Sequence, residues 1–341
     1  MRTLRATAPT RIDFAGGTLD LPPLYLMHQP AYTVNVAIEL RARVIIEQPD
    51  CAWSGVALTA RDRNLGAQWP SAESIDWAGK PWLELPARLI QSLAPNEGIR
   101  VTTELESPSG AGIGGSSTLA IALTGGLLAL RKENWPPARL IEHAKGAETQ
   151  TIRVPTGYQD FIAAYYGGAS VIEYTLTGFV RRPACSSRFL DTLESHLLLV
   201  YSGKPHFSGA NNWELFKKHM DGDKRTISFF ADLRESAEHM KDAFKTNRVR
   251  PIAEAMNHDW AIRYKMLPKM STPKIDRLIA DAMNQGAYTA RVCGAGGGGC
   301  VAFLIDPAAR ARIQQIAKRL NCIALPSRIA RTGLTILSTT V

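Results

Sequence analysis

The chain has 341 residues, 45% of them hydrophobic and 21% charged, with a formal charge of +9; this is the composition of a globular protein of one large or two ordinary domains. No apolar run approaches the roughly 18 residues of a membrane span, and the opening MRTLRATAPTRIDF has no signal-peptide apolar stretch. Five cysteines, Cys51, Cys185, Cys293, Cys300 and Cys322, are odd in number and form no CxxC pair, which argues against a disulfide framework or a structural zinc site and for a reducing cytoplasm.

The positive surplus suits an anionic partner, whether nucleic acid, nucleotide or phosphorylated metabolite. Its densest clusters are RRP at 181, KK at 217 and NRVRP at 247. None is a long basic block, and each taken singly reads as a solvated surface.

In chain order, residues 8–25 (APTRIDFAGGTLDLPPLY) carry Arg11, a glycine pair and Asp20 ahead of a double proline. A turn with a capping aspartate is one account. A carboxylate that holds sugar hydroxyls is the other, since Asp accepts two hydrogen bonds. RVIIEQ (43–48) reads as a strand. Residues 49–97 hold Trp53, Trp69, Trp77 and Trp82 among turn residues. Packing under a long connection explains them, with a stacking platform for a base or sugar as the alternative.

The segment PSGAGIGGSSTLA (108–120) sets four glycines in the six residues GAGIGG beside Ser116 and Ser117, ahead of a buried helix read over 117–132. It is neither a Walker A loop nor a dinucleotide fingerprint with a strand running into it. Helix capping explains one serine but not the glycines. A glycine-rich turn that feeds a helix start is an anion site, and phosphate is its usual guest. The hydroxyls are then free to ligate a magnesium ion. Gly125–Gly126 within the helix predicts close packing against another element.

Pro137 opens a further helix that carries Glu148. Asp160 follows a Pro-Thr-Gly turn and begins a buried helix, YQDFIAAYYGG. A buried carboxylate is costly unless paired or bound to a cation, so solvation is a poor account of it and helix capping a better one. SVIEYTL (170–176) and HLLLVYSG (196–203) read as strands, with the polar RRPACSS between them; two domains, 1–185 and 186–341, are expected. A helix over 272–286 sets Ile275, Leu278, Ile279 and Ala282 on one face and stops at Gly286. RVCGAGGGGCVAFL (291–304) has five glycines where a helix-to-strand connection needs one or two, so its backbone is expected to lie against a ligand or another loop. The mixture of strands and helices predicts an α+β architecture.

Taken together, PTRIDFAGGTLD, SPSGAGIGGSSTLA and VCGAGGGGCVAF resemble, in order, the three signature motifs of the GHMP kinases, the galacto-, homoserine, mevalonate and phosphomevalonate kinases. The likeness is greatest to the sugar-kinase branch that contains heptose 7-phosphate kinase and fucokinase-like domains, also through LLLVYSGKPHFSGANNWELFK and the segment 270–299. The resemblance implies two α+β domains with the active site in the cleft between them, and it implies ATP and Mg2+. Gly110, Gly112, Gly114, Gly115 and Ser116 would cradle phosphate, and Ser117 and Glu148 would hold the metal. Asp160 would be the catalytic carboxylate with Arg11 beside it. Gly17 and Asp20 would meet the substrate, and Gly296 and Gly297 would line its side. Three positions depart from the branch and bear on the sugar: GGTLD in the first motif, Phe161 after the aspartate, and Arg291 for the usual lysine.

The implied activity is phosphorylation of a sugar at its anomeric hydroxyl, with D-glycero-D-manno-heptose 7-phosphate as candidate and no nucleic-acid or membrane partner. Lys204 and Arg263 are candidates for a distal phosphate, although each also reads as a surface charge. The alternatives are a kinase for a neutral sugar such as fucose, an ATP-dependent decarboxylase, a non-catalytic binding module, and a nucleic-acid binder on charge alone.

Overall fold

The structure is a computed structural model that describes residues 2–49, 53, 55–94, 98–205 and 208–340; Cys51 lies outside them. Its first sheet starts from two long antiparallel strands, β1 (Arg2–Ala15) and β2 (Ala31–Gln48), with the short helix α1 (Leu24–Met27) between them. β3 (Val56–Ala60), β4 (Leu65–Trp69), helix α2 (Pro81–Leu93) and β5 (Ile99–Leu105) follow. Then come α3 (Gly115–Leu130), α4 (Pro137–Ile152), α5 (Gln159–Tyr166), β6 (Ala169–Thr175) and β7 (Gly178–Pro183).

The second half runs α6 (Ser187–His196), β8 (Leu197–Tyr201), α7 (Ser208–Met220), α8 (Lys224–Lys245), α9 (Val249–Met266) and α10 (Pro273–Met283). It ends with β9 (Ala287–Val292), β10 (Cys300–Ile305), α11 (Arg310–Arg319), β11 (Ile323–Leu325) and β12 (Thr335–Thr340). The large sheet has the order β12-β1-β2-β5-β3-β4, with β6 and β7 attached to β2; the small one has the order β11-β8-β10-β9. Pairing is antiparallel except for β3 on β5.

This is the mixed α+β architecture that the sequence predicts. The turn before α6 lies between β7 of the large sheet and β8, the first strand of the small one. The last strand, however, crosses back: β12 pairs with β1, so the second half of the chain is not confined to the second unit. β12 covers an edge of β1 that would otherwise present unpaired backbone groups.

β1 does not read as a strand, because its apolar positions are small or interrupted: Ala6, Ala8, Pro9, Thr10. Its pairing with β2 is irregular at Pro9/Thr10, where a proline is tolerated. That irregularity decides the site. Before it, Leu4, Ala6 and Ala8 pack on the side of the sheet that carries α2 to α5. Beyond it, Ile12 and Phe14 join the opposite core, with Phe230, Leu233 and Phe244 of α8. At the break Pro9 pairs with Arg41 but Thr10 with Ile38, leaving Glu39 and Leu40 of β2 without ladder partners on β1; such a bulge re-aims the side chains beyond it, and Arg11 and Asp13 there meet the glycine loops.

The helix predicted over 117–132 is α3, two residues earlier at each end. Gly114 in left-handed geometry starts it, and Lys132 in the same geometry lies just past its end. It is buried almost all round. A Cβ on Gly126 would stand 2.9 Å from Ile46 Cδ1, the close packing expected there. Of the four tryptophans, Trp69, Trp77 and Trp82 pack at the margin of the α2–α5 core, and Trp53 lies under the Arg100 guanidinium.

Candidate active site

The site begins at Arg11. Its Nε and Nη2 both reach Oδ1 of Asp160, at 2.7 and 2.6 Å, and its Nη1 donates to the Gly112 carbonyl at 2.8 Å. Burial works against the guanidinium charge, but Asp160 and Asp13 outweigh it and raise the Arg11 pKa. Asp160 is the second residue of α5, and no side chain caps that helix. Capping therefore gives way to ion pairing as the account of this carboxylate. Because Arg11 occupies Oδ1, Oδ2 has no hydrogen-bond partner among the described residues and faces Gly114.

The loop 110–114 crosses directly over this pair. Gly112 has φ +76°, and a Cβ there would stand 2.7 Å from the Cys293 carbonyl. Gly114 has φ +79°, and its Cβ would stand 3.0 Å from the Asp160 carboxylate. A side chain at Gly114 would thus press on the Asp160 carboxylate. Gly114 caps α3 with no side-chain hydrogen bond, so the first N–H groups of the helix remain available at its positive end. Neither serine caps. Ser116 Oγ and Ser117 Oγ both donate to the Glu148 carboxylate, the latter at 2.7 Å. Burial pushes Glu148 up to about 7; the two serines and Arg11 pull it down only in part, and Asp160 adds to the rise.

The third glycine run supports the second through backbone: Cys300 N donates to the Ala111 carbonyl at 2.8 Å, and a Cβ on Gly294 would collide with the Gly112 carbonyl. Gly296 and Gly297 face away from the cavity. A Cβ on Gly296 would meet Met270, and Gly297 N donates to the Met270 carbonyl. Gly294 and Ala295 line the cavity in their stead. This cavity is about 740 Å³, and its wall includes Gly17, Asp20, Gly110, Ser117, Glu148 and Asp160. Its wall also includes the apolar Pro81, Trp82 and Leu85, and Trp82 alone of the four tryptophans lines it.

Asp20 is 4% exposed and accepts the Gln159 N–H at 3.1 Å. Burial, helped by the Asp160 charge, lifts it to about 6. Behind it runs an ion network that the sequence did not disclose. Asp13 accepts from Arg291 at 2.6 Å and from Gly294 N at 3.3 Å. Arg291 also donates to Asp259 at 2.9 Å, and Asp259 receives Arg263 at 2.8 Å. Arg263 then donates to the Gly17 carbonyl. Although burial pushes the Asp13 carboxyl up, Arg291, Arg11 and Arg263 hold it below its usual value. Arg263 is 1% exposed, which corrects its reading as a surface charge, whereas Lys204 is exposed. The one local signal was the i,i+4 spacing of Asp259 and Arg263 on α9.

The donors fit a nucleotide and its metal. The α3 start and the glycine loop offer N–H groups for phosphate. Among the described residues no three His, Cys, Asp or Glu side chains converge. A magnesium ion bound to nucleotide takes only one or two carboxylates besides phosphate oxygens, and Ser117 with Glu148 is a donor set of that kind.

Two family models match, the GHMP kinases N terminal domain over residues 84–168 and the GHMP kinases C terminal domain over 240–321. The chain is a GHMP kinase. This GHMP kinase is 24% identical over 313 residues to D-glycero-alpha-D-manno-heptose 7-phosphate kinase of Campylobacter jejuni, covering 90% of this chain and 91% of that one. It is 25% identical over 342 residues to the bifunctional fucokinase/GDP-fucose pyrophosphorylase of Arabidopsis thaliana, covering 94% of this chain and 31% of that much longer protein. Its fold matches the crystal structure of a D-glycero-D-manno-heptose 1-phosphate kinase from Bacteroides thetaiotaomicron with a TM-score of 0.79 at 20% identity, over 99% of this chain and 100% of the other. The kinase is an ATP-dependent phosphotransferase with a hydroxyl acceptor.

Proposed function

We propose that this kinase phosphorylates the anomeric hydroxyl of a sugar, with D-glycero-D-manno-heptose 7-phosphate as the acceptor. The observation that carries the chemistry is the Arg11–Asp160 pair: both contacts fall on Oδ1, so Oδ2 is available to accept the acceptor's proton. Arg11 orients the carboxylate through its two contacts on Oδ1. The N–H groups of the glycine loop and of the α3 start hold phosphate oxygens as the hydroxyl attacks the γ-phosphorus and ADP leaves. Ser117 and Glu148 would hold Mg2+, which would supply positive charge against the nucleotide's phosphates. Asp20 accepts a sugar hydroxyl, and the apolar wall at Trp82 suits the nucleotide base. A cytoplasmic location, where ATP is available, belongs to the same proposal.

The heptose rests on the likeness to the Campylobacter jejuni kinase, which spans nine-tenths of both chains. One observation favours a neutral sugar such as fucose as a second reading. Arg263, a buried basic residue of the cavity wall, is already matched by Asp259 and the Gly17 carbonyl. Steady-state kinetics on paired free and phosphorylated aldoses, with NMR of the product, test both readings. A preference for the phosphorylated sugar and phosphate on the anomeric carbon are expected. Equal efficiency on both sugars would reject the phosphate-carrying substrate, and phosphate on another carbon would reject the regiochemistry.

A further inference from the structure

Gln159 stands between the two carboxylates of the site, directly before Asp160 and hydrogen-bonded to Asp20. Its backbone is fully engaged: the N–H donates to Asp20 Oδ2 at 3.1 Å, and the carbonyl accepts Nδ2 of the fully buried Asn35 at 3.1 Å. Its side chain is not. The residue is 6% exposed and lines the cavity. Among the described residues, its buried Oε1 has no hydrogen-bond partner. The amide lies over Gly17, where a Cβ would stand 3.0 Å from Nε2. Buried amide oxygens are paired in nearly all folded proteins, and an unpaired one calls for an explanation in function.

We propose that Gln159 is a specificity-determining contact whose amide reads an acceptor hydroxyl next to the one that is phosphorylated. The inference rests on the sugar-kinase reading of the site. An amide offers an acceptor and two donors, which matches a hydroxyl, itself donor and acceptor, better than a phosphate, which only accepts. Asn35 holds the carbonyl of Gln159 and Asp20 holds its N–H, so the amide is carried on a braced helix start. With Asp20 on one side and Gln159 on the other, the site is built for two neighbouring hydroxyls. A site built to hydrogen-bond a hydroxyl discriminates strongly against the analogue that lacks it.

The test uses the full chain with Mg·ATP, D-glycero-D-manno-heptose 7-phosphate, free aldoses, and the monodeoxy analogues of whichever sugar the wild type phosphorylates best. Gln159→Leu should raise the sugar KM about tenfold or more, with kcat changed less than about threefold and the ATP KM unchanged. One monodeoxy analogue, poor with the wild type, should be handled by Gln159→Leu as well as its parent sugar is. Gln159→Glu, which keeps an acceptor, should retain part of the discrimination and serves if the leucine variant does not fold. An unchanged sugar KM and an unchanged ranking of analogues would overturn the proposal. So would a rise in KM equal across all analogues, because that is the mark of a structural role. A wild type that phosphorylates no sugar would overturn the sugar-kinase reading itself, and this inference with it, before any variant is compared.

Discussion

Replacing Glu148 by glutamine perturbs one buried charge and leaves the shape of the site. Glu148 is 4% exposed, and burial moves its carboxyl from 4.5 up to about 7. The folded protein therefore keeps this proton up to about pH 7, while the unfolded chain releases it near 4.5. Between those values the folded state binds more protons, so stability falls as pH rises through the window and levels off above it. At 1.36 kcal/mol per pH unit, the ionised carboxylate costs the nucleotide-free protein about 3 kcal/mol above pH 8. Glutamine pays no such cost and still meets Ser117 or Ser116 with its oxygen. With an unfolding entropy of about 2.1 cal/mol/K per residue, a chain of 341 residues shifts in Tm by about 4–5 °C for that energy. Calorimetry without nucleotide or divalent cation should show the Tm of Glu148→Gln gaining on the wild type by this amount between pH 5 and 8.5. Turnover of the same variant at pH 8 should fall and its magnesium requirement rise, since a hard anionic ligand is lost. A Tm difference independent of pH would refute the desolvated carboxylate on which the reasoning depends.

Asp160→Asn removes the proposed proton acceptor and should lower turnover by about 100-fold or more, with ATP affinity by calorimetry little changed; near-wild-type turnover would reject the assignment. Gly114→Val strains a backbone at φ +79° and presses on Asp160, so turnover should fall along with ATP affinity, and a folded variant that keeps both would reduce the loop to a packing turn. Asp259→Asn leaves Arg263 and Arg291 buried without their shared counter-charge, at a cost of about 3–5 kcal/mol in denaturant unfolding; a loss below about 1 kcal/mol would show that the network does not hold the two halves together. In the wild type, the magnesium concentration for half-maximal rate should drop as pH rises through about 7, because the metal and the proton compete for Glu148; a flat titration would mean that the metal is held elsewhere.

What the sequence determined by itself lies in short-range patterns. α3, α4 and α10 are legible because their period, their prolines and their stop signals are local, and α3 is only two residues from its predicted bounds. The second and third glycine segments stand out because each has more glycine than a turn needs, and the order of all three motifs carries the resemblance to the GHMP kinases. β1 escaped, because alanine, threonine and a proline give no strand signal, and only its pairing with β2 and β12 makes it one. Tertiary structure decided the rest. The residue that meets Asp160 lies 149 positions away, so neither spacing nor periodicity tells a paired carboxylate from a capping one. Asp259 and Arg263 look like an ordinary pair on a solvated helix. They form a buried charge network because α9 packs against the strands that carry Asp13 and Arg291. The elevated carboxyl of Glu148 has the same origin: a pKa responds to the solvent that the fold removes, and no residue's own identity specifies how much is removed.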